Sequence, residues 1–285
     1  MSTTITTAQG LQDINNGPSG SYVLGNDIDM TGFSFTPIGL TAPFNGSFDG
    51  AGFTISNLSV TDTGSYASCA LFAQTTTTAS IADVTLEDFV LVGNNYVGAL
   101  IGYCNGSDVT GINASGIGMR QYVGTSDILH IGCLIGKANN TTYLNDCEVS
   151  GTMSYSSSAN SATISDIGGL VGKFVSGSFS NCYMMNISMV VSAAGTGGLL
   201  TNIGGLFGSF YGNSLQRCYS DGRITITSTA SDSGTFGVGG FGGGLSVAAS
   251  PYLRDCYSRV DIEANCFNCI GFSGFIGNFS GSAGS

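Results

Sequence analysis

A short glycine-flanked motif recurs along this chain at nearly constant spacing. Four close copies read apolar, Gly, any residue, Leu, apolar, Gly, and they occupy 97–102, 131–136, 167–172 and 203–208. Weaker copies occupy 68–73, 238–243 and 272–277. The Leu or Phe at the fourth position marks the register at 71, 100, 134, 170, 206, 241 and 275. A period of this kind is typical of solenoids, in which each repeat packs on the next.

Each repeat contains the pattern of short β-strands rather than of helices. A Cys follows the register mark by 12 to 15 residues in the later copies, and an alternating stretch such as 187–191 or 223–227 comes next. Alternation with a period of two indicates half-buried strands, and glycine suits the corners between them. The sequence therefore predicts an all-β, right-handed parallel β-helix (β-solenoid) of about seven to nine coils.

Composition supports this fold class and argues against nucleic acid and membranes as partners. The 285 residues include 45 Gly and 4 Pro, and charged residues make up 9%. The formal net charge of -11 argues against nucleic acid, because phosphate backbones require basic surfaces. No segment has the length and apolarity of a membrane span or the pattern of a secretory signal.

The two ends of the chain differ. Residues 1–66 are predicted as an N-terminal cap with opening coils, and 67–285 as one continuous series of repeats. A short helix is expected around residues 7–14, with Thr6 or Thr7 as N-cap and with Leu11 and Ile14 on one face. No such cap is visible after residue 277, so the last rung is expected to need a protein partner.

The repeat resembles the GLUG-repeat family of parallel β-helices. The glycine motif at 168–172 and the Asn-Cys-Tyr sequence at 181–183 carry this resemblance, and residues 22–58 resemble the opening coils of such proteins. The resemblance implies a β-helix found in bacterial surface proteins, in non-catalytic appendages of some proteases and in virion-like contexts. It does not imply one activity, since a fold can serve many functions.

Nine cysteines form two groups. The first falls on one repeat position and is predicted to be an inward column of buried thiols, with axial disulfides as the alternative: Cys147, Cys182, Cys218 and Cys256. The second is predicted to supply thiols for disulfides or cross-links between chains: Cys69, Cys104, Cys133, Cys266 and Cys269. All of these except Cys133 are expected to be exposed. The C-x-x-C at 266–269 lacks a second pair of ligands, so neither a metal site nor a cofactor is expected.

Catalytic groups are sparse, and the chain is not expected to be an enzyme. His130 is interpreted as a structural, hydrogen-bonded histidine. Polar residues that precede the Cys column (Asp146, Asn181, Arg217 and Asp255, with Asp83 as an extension) are interpreted as corner residues rather than as catalytic carboxylates. An outward stripe of Tyr183, Tyr219 and Tyr257 is a candidate interaction surface for sugars or for another subunit.

Three functions remain open at this stage. The first is a structural protein of an extracellular particle, such as a phage capsid decoration, neck or fibre component that forms homo- or hetero-oligomers. The second is a cell-surface adhesin or extracellular filament with a carbohydrate-binding surface. The third is a polysaccharide-active β-helix enzyme, which requires grouped carboxylates in a groove.

Overall fold

The computed structural model describes residues 1–62, 68–122, 127–157, 162–194, 199–228, 234–246, 252–266 and 268–280. For 234–236, 268–269 and 279–280, only the backbone is described. The predicted open C-terminal end includes residues 281–285, which lie outside this range, and so do parts of the long corners expected near 192–200 and 228–237.

Within the described ranges, one α-helix, α1 (Ala8–Gln12), is followed by a 3-10 turn (Asp13–Asn16), and the other elements are strands. The first strands are β1 (Thr3–Ile5), β2 (Ser21–Leu24), β3 (Ile28–Asp29), β4 (Ser47–Asp49), β5 (Thr54–Ser56), β6 (Ser59–Thr61), β7 (Phe72–Gln74), β8 (Ser80–Ala82), β9 (Thr85–Glu87), β10 (Val90–Val92), β11 (Asn95–Val97), β12 (Ile101–Asn105) and β13 (Asp108–Arg120). The later strands are β14 (Ile128–Gly132), β15 (Ile135–Ser157), β16 (Thr163–Gly168), β17 (Val171–Ala193), β18 (Leu199–Gly204), β19 (Phe207–Phe210), β20 (Ser214–Gln216), β21 (Tyr219–Ser228), β22 (Gly234–Gly239), β23 (Gly242–Ser246), β24 (Tyr252–Arg254), β25 (Tyr257–Cys266), β26 (Asn268–Ser273) and β27 (Ile276–Ser280).

These strands stack in parallel, each on its counterpart one repeat later. One ladder runs from end to end in the order β1, β2, β4, β8, β13, β15, β17, β20 and β24. A separate sheet contains β11, β14, β16, β18, β22 and β26. The predicted parallel β-solenoid is confirmed, with about 6 turns. This number matches the six strands of the separate sheet, whereas the first ladder begins earlier in the chain and passes through nine strands.

The N-terminal cap forms where the sequence predicts it. Thr7 is extended (φ -143°, ψ 158°) and its side chain accepts a hydrogen bond from the Gly10 N–H, as an N-cap does. Leu11 and Ile14 are fully buried and join the core that fills the solenoid. The helix therefore covers the apolar end of the first coil.

Aromatic and aliphatic side chains fill the interior as rows along the axis. Phe174 and Phe210 stack with ring centroids 5.2 Å apart and an interplanar angle of 4°. Phe179 packs edge-on against Phe174 at 4.3 Å. Because equivalent positions lie directly above one another, the repeat places like side chains in contact, and the surface is formed by the alternate residues.

Candidate functional site

Corner residues before the Cys column have left-handed backbones. The φ angles are 53° at Asp146, 51° at Asn181, 49° at Arg217 and 55° at Asp255. Asn and Asp tolerate this conformation best, which confirms their interpretation as corner residues. Their side chains also bridge turns, since Asn181 Nδ2 donates to Asp146 Oδ1 at 2.8 Å and Arg217 Nε donates to Asn181 Oδ1 at 2.6 Å. We call this row the corner column.

The Cys column lies on the inner side of these corners. Cys147, Cys182 and Cys218 are fully buried and Cys256 is partly buried, and all four are free thiols. Each Sγ donates to the backbone carbonyl two residues earlier, at 3.2 to 3.4 Å. Burial raises the pKa of Cys182 well above its ordinary value. These residues act as small apolar side chains with a local hydrogen bond, and no axial disulfide joins them.

The remaining cysteines differ from their predicted role. Cys69, Cys104 and Cys133 are free and fully buried, so the expected exposure is wrong for Cys69 and Cys104, and the disulfide considered for Cys133 is not formed. Cys69 and Cys133 lie in copies of the glycine-flanked motif, where consecutive residues are fully buried, and Cys104 lies on an inward position of β12. Cys266 is disulfide-bonded, and the side chain of Cys269 lies outside the described residues.

Native thiol labelling tests this arrangement. Burial raises the pKa of Cys69 and of Cys133 to about 12, so both thiols stay protonated and unreactive near neutral pH. We expect iodoacetamide to modify neither residue in the folded protein, as read by mass spectrometry, and to modify both after denaturation. Cys256 serves as the internal control and should be modified first because it is partly exposed and the reagent can reach it, although the hydrogen bond with Cys218 and burial raise its pKa as well. Labelling of Cys133 at the same rate as Cys256 would contradict the buried placement.

The tyrosine ladder (Tyr183, Tyr219 and Tyr257) lies on the outer face of the same strands. Ring centroids are 4.6 Å apart between Tyr183 and Tyr219 and 5.0 Å between Tyr219 and Tyr257, the second pair being nearly parallel at 7°. Because the rings stack along the solenoid axis, their faces cover each other and their edges point to solvent. Sugar stacking along the whole stripe is therefore not possible, and only the terminal ring faces remain free.

A polar cleft of about 330 Å³ begins at one end of the ladder. Tyr183 has Tyr219 on one side and Glu148 on the other. The side chains that give the cleft its character are Asn113, Asp146, Glu148, Asn181 and Tyr183. Gly111 takes the corner position here with φ 66°, and the carboxylate of Asp83 on the neighbouring turn occupies the space of the missing side chain. The cleft thus combines the aromatic ring of Tyr183 with several hydrogen-bonding side chains, as ligand-binding sites commonly do.

A second polar group, the Asp166 network, was not foreseen from the sequence. Asp166 is buried, and its Oδ2 lies 3.0 Å from His130 Nδ1 and 3.2 Å from Lys173 Nζ. Its Oδ1 accepts from Asn202 Nδ2 at 3.0 Å and from the Ser209 hydroxyl. Burial alone would raise the pKa of Asp166, but the contacts with His130, Ser209, Lys173 and Asn202 together lower it. The carboxylate is therefore ionised and held in place.

His130 occupies a structural position in this network. Its φ is 60°, and Nδ1 lies 3.0 Å from Asp166 Oδ2 but has no well-aligned hydrogen-bond partner among the described residues, so the hydrogen bond expected for it is not found there. Within the described residues, no three His, Cys, Asp or Glu side chains are grouped to hold a metal ion. The described part also contains no helix with the length and apolarity to span a membrane.

Comparison with known proteins gives a fold and a local relative. No protein-family model matches the chain. Halomucin from Haloquadratum walsbyi is 35% identical over 145 residues, which cover 46% of this chain and 2% of halomucin. This chain thus matches only a very small part of that much longer protein.

Solved structures of two proteases contain the same architecture. A candidate immunoglobulin A1 protease from Bacteroides ovatus superposes with a TM-score of 0.63 at 15% identity, covering 95% of this chain and 84% of that one. An IgA1 protease superposes with a TM-score of 0.56 at 16% identity, covering 95% of this chain and 20% of that one. At such identities the likeness concerns the fold alone, so this chain is a parallel β-solenoid of the kind present in IgA1 protease structures.

Proposed function

We propose that this chain is a non-catalytic β-solenoid module of an extracellular surface that binds neutral sugars at the polar cleft. The observation that carries the proposal is the position of Tyr183, whose ring ends the tyrosine ladder and lines the cleft. An aromatic face supports the apolar face of a sugar ring, while neighbouring carboxylate and amide groups bind its hydroxyls.

The charge of the cleft selects the class of ligand. Asp146 and Glu148 both line it, so an anionic sugar would meet two like charges. A neutral sugar instead offers hydroxyl donors to these carboxylates, and charge-assisted hydrogen bonds are stronger than neutral ones. The stacked Tyr219 behind Tyr183 fixes the ring before the ligand arrives, which lowers the entropic cost of binding.

The shape of the solenoid and the local similarity to halomucin support the proposed location on an extracellular surface. A solenoid has a stiff axis and a long surface, which suits a spacer or a display element. The local similarity to halomucin, of which only 2% is matched, supports a role as one part of a larger protein. Homo- or hetero-oligomeric assembly at a cell or particle surface remains part of this proposal, and the phage virion role remains a prediction.

Replacement of Tyr183 tests the cleft. Tyr183→Ala is expected to weaken binding of neutral oligosaccharides by roughly tenfold, because the stacking face is lost. The measurement is isothermal titration with a hit from an array of neutral glycans. Tyr252→Ala is the matched control, because Tyr252 is 54% exposed and lies outside the cleft.

Two outcomes would contradict the proposal. Equal affinity of the wild type and Tyr183→Ala, or an equal loss in Tyr252→Ala, would remove the cleft as the binding site. Cleavage of the bound oligosaccharide would instead favour the polysaccharide-active alternative, because Asp146 and Glu148 are two carboxylates in one cleft.

A further inference from the structure

A second pocket, on a different face from the polar cleft, contains a lysine without a carboxylate partner. This lysine pocket has a volume of about 220 Å³ and is lined by Ser68, Gln74, Tyr96, Tyr103 and Lys137. Its size lies below the range for drug-sized ligands, so it fits a single ring or a smaller group. It lies where β7, β12 and β15 follow one another along the axis, with Gln74, Tyr103 and Lys137 in register.

The lysines of this chain are concentrated here. The sequence contains Lys137 and Lys173, and they pair in register on neighbouring rungs. Lys173 forms an ion pair with Asp166 at 3.2 Å. Among the residues that the structure describes, Lys137 has no carboxylate within 4 Å, and its ammonium group instead lies between two aromatic rings, 5.9 Å from the Tyr96 centroid and 5.8 Å from that of Tyr103.

This arrangement leaves one positive charge uncompensated. Lys137 and Lys173 contribute two positive charges against the single negative charge of Asp166. Partial burial and the charge of Lys173 lower the pKa of Lys137, and Asp166 opposes this only in part. A bound anion would reduce the repulsion between the Lys137 and Lys173 ammonium groups. The chain as a whole has a net charge of -11, so a local excess of positive charge is a specific feature of this pocket.

The other lining groups are fixed or available for a ligand. Asn139 Nδ2 donates to the Tyr103 hydroxyl at 3.1 Å, and the Tyr96 and Tyr103 rings pack edge-on with centroids 5.6 Å apart. The amide of Gln74 has no hydrogen-bond partner among the described residues and can bind a ligand oxygen. The walls are therefore preorganised, with one cation, one free amide and two aromatic rings.

We propose that the lysine pocket binds a monosaccharide-sized acidic sugar, with its carboxylate on Lys137 and its ring against the tyrosines. A carboxylate matches the single uncompensated charge, whereas a dianion would exceed it. This site is independent of the neutral-sugar cleft, because the two share no lining residue.

Titration with D-glucuronate tests the pocket. The full chain should bind glucuronate more tightly than glucose. The Lys137→Met variant should bind glucuronate roughly tenfold more weakly, since a charged hydrogen bond is removed. Arg223→Met is the matched control, because it removes an equal charge from an exposed position on β21. Lys137→Arg should keep part of the affinity.

Several results would overturn the proposal. Absence of glucuronate binding, equal affinity for glucose, or an unchanged affinity in Lys137→Met would each do so. Inorganic phosphate that binds as tightly as glucuronate would show a general anion site instead of one for acidic sugars. Circular dichroism of each variant separates loss of binding from loss of fold, and none of these results depends on the polar cleft.

Discussion

Gly172→Ala is expected to destabilise the solenoid by roughly 3 kcal/mol or more, because the added methyl group has no space. A Cβ at this position would lie 2.5 Å from the Gly136 carbonyl oxygen and 2.7 Å from that of Asp166. Both are backbone atoms of packed strands and corners, which cannot move aside as a flexible side chain does. Gly172 does not have a positive φ, so the effect is steric alone.

Gly118→Ala is the matched control for this substitution. Gly118 also lies in a strand, and a Cβ there would meet only the Phe89 carbonyl oxygen at 3.7 Å. The alanine should be neutral or slightly stabilising, since it restricts the unfolded chain. The midpoint of urea unfolding, followed by circular dichroism, measures both variants. Equal midpoints for the two would contradict the close packing proposed for the last glycine of the motif.

The same contact explains why the repeat could be recognised in the sequence. The last glycine of the motif lies beneath a corner in successive turns, as shown by Gly136 beneath His130 and by Gly208 beneath Asp166. A residue type required by backbone contact recurs from Gly102 to Gly277 and is visible as a period, although the first weak copy has Ala73 at this position. The strands and the inward direction of the Cys column followed from this period and from alternation, whereas the capping helix followed from the N-cap threonine and from Leu11 and Ile14 on one face.

The functional surfaces were harder to predict because their chemistry changes from rung to rung. Tyr183, Tyr219 and Tyr257 were visible as a stripe, but their mutual stacking depends on ring orientation, which no pattern of letters contains. The cleft combines the corner residues Asp146 and Asn181 with side chains of the following strands, and its corner position on the preceding turn is Gly111 where other turns have Asp, Asn or Arg. Both features require the axial neighbours of each residue to be known.

The Asp166 network had a signal in the sequence that spacing could have revealed. His130, Asp166 and Asn202 each precede a register mark by four residues, and Lys137 and Lys173 each follow one by three. These two positions lie side by side in the solenoid. An alignment of the repeats that includes the residues on either side of the glycine motif would have predicted that these charged residues lie close together in the fold.

Asp166→Asn is expected to reduce the free energy of unfolding by about 3 kcal/mol near neutral pH, because Lys173 and His130 lose a buried carboxylate. Asparagine keeps the shape and tolerates the φ of 56° at this corner. This loss lies at the low end of the range for breaking a buried ion pair, because the Lys173 side chain is 26% exposed. Asp255→Asn, which removes a carboxylate at another left-handed corner with 63% side-chain exposure, should cost less than about 1 kcal/mol.

The pH dependence separates the role of this charge from that of shape. The contacts of Asp166 hold its folded-state pKa below the value of about 3.9 expected in the unfolded chain. Its contribution is therefore fully present above that value and is lost as the pH falls toward the lower folded pKa. Urea unfolding at stepped pH should show a gap between the wild type and Asp166→Asn that is constant near neutrality and narrows below about pH 4. A gap that stays constant into strong acid would mean that the asparagine disturbs packing, and that the ionised carboxylate does not stabilise the fold.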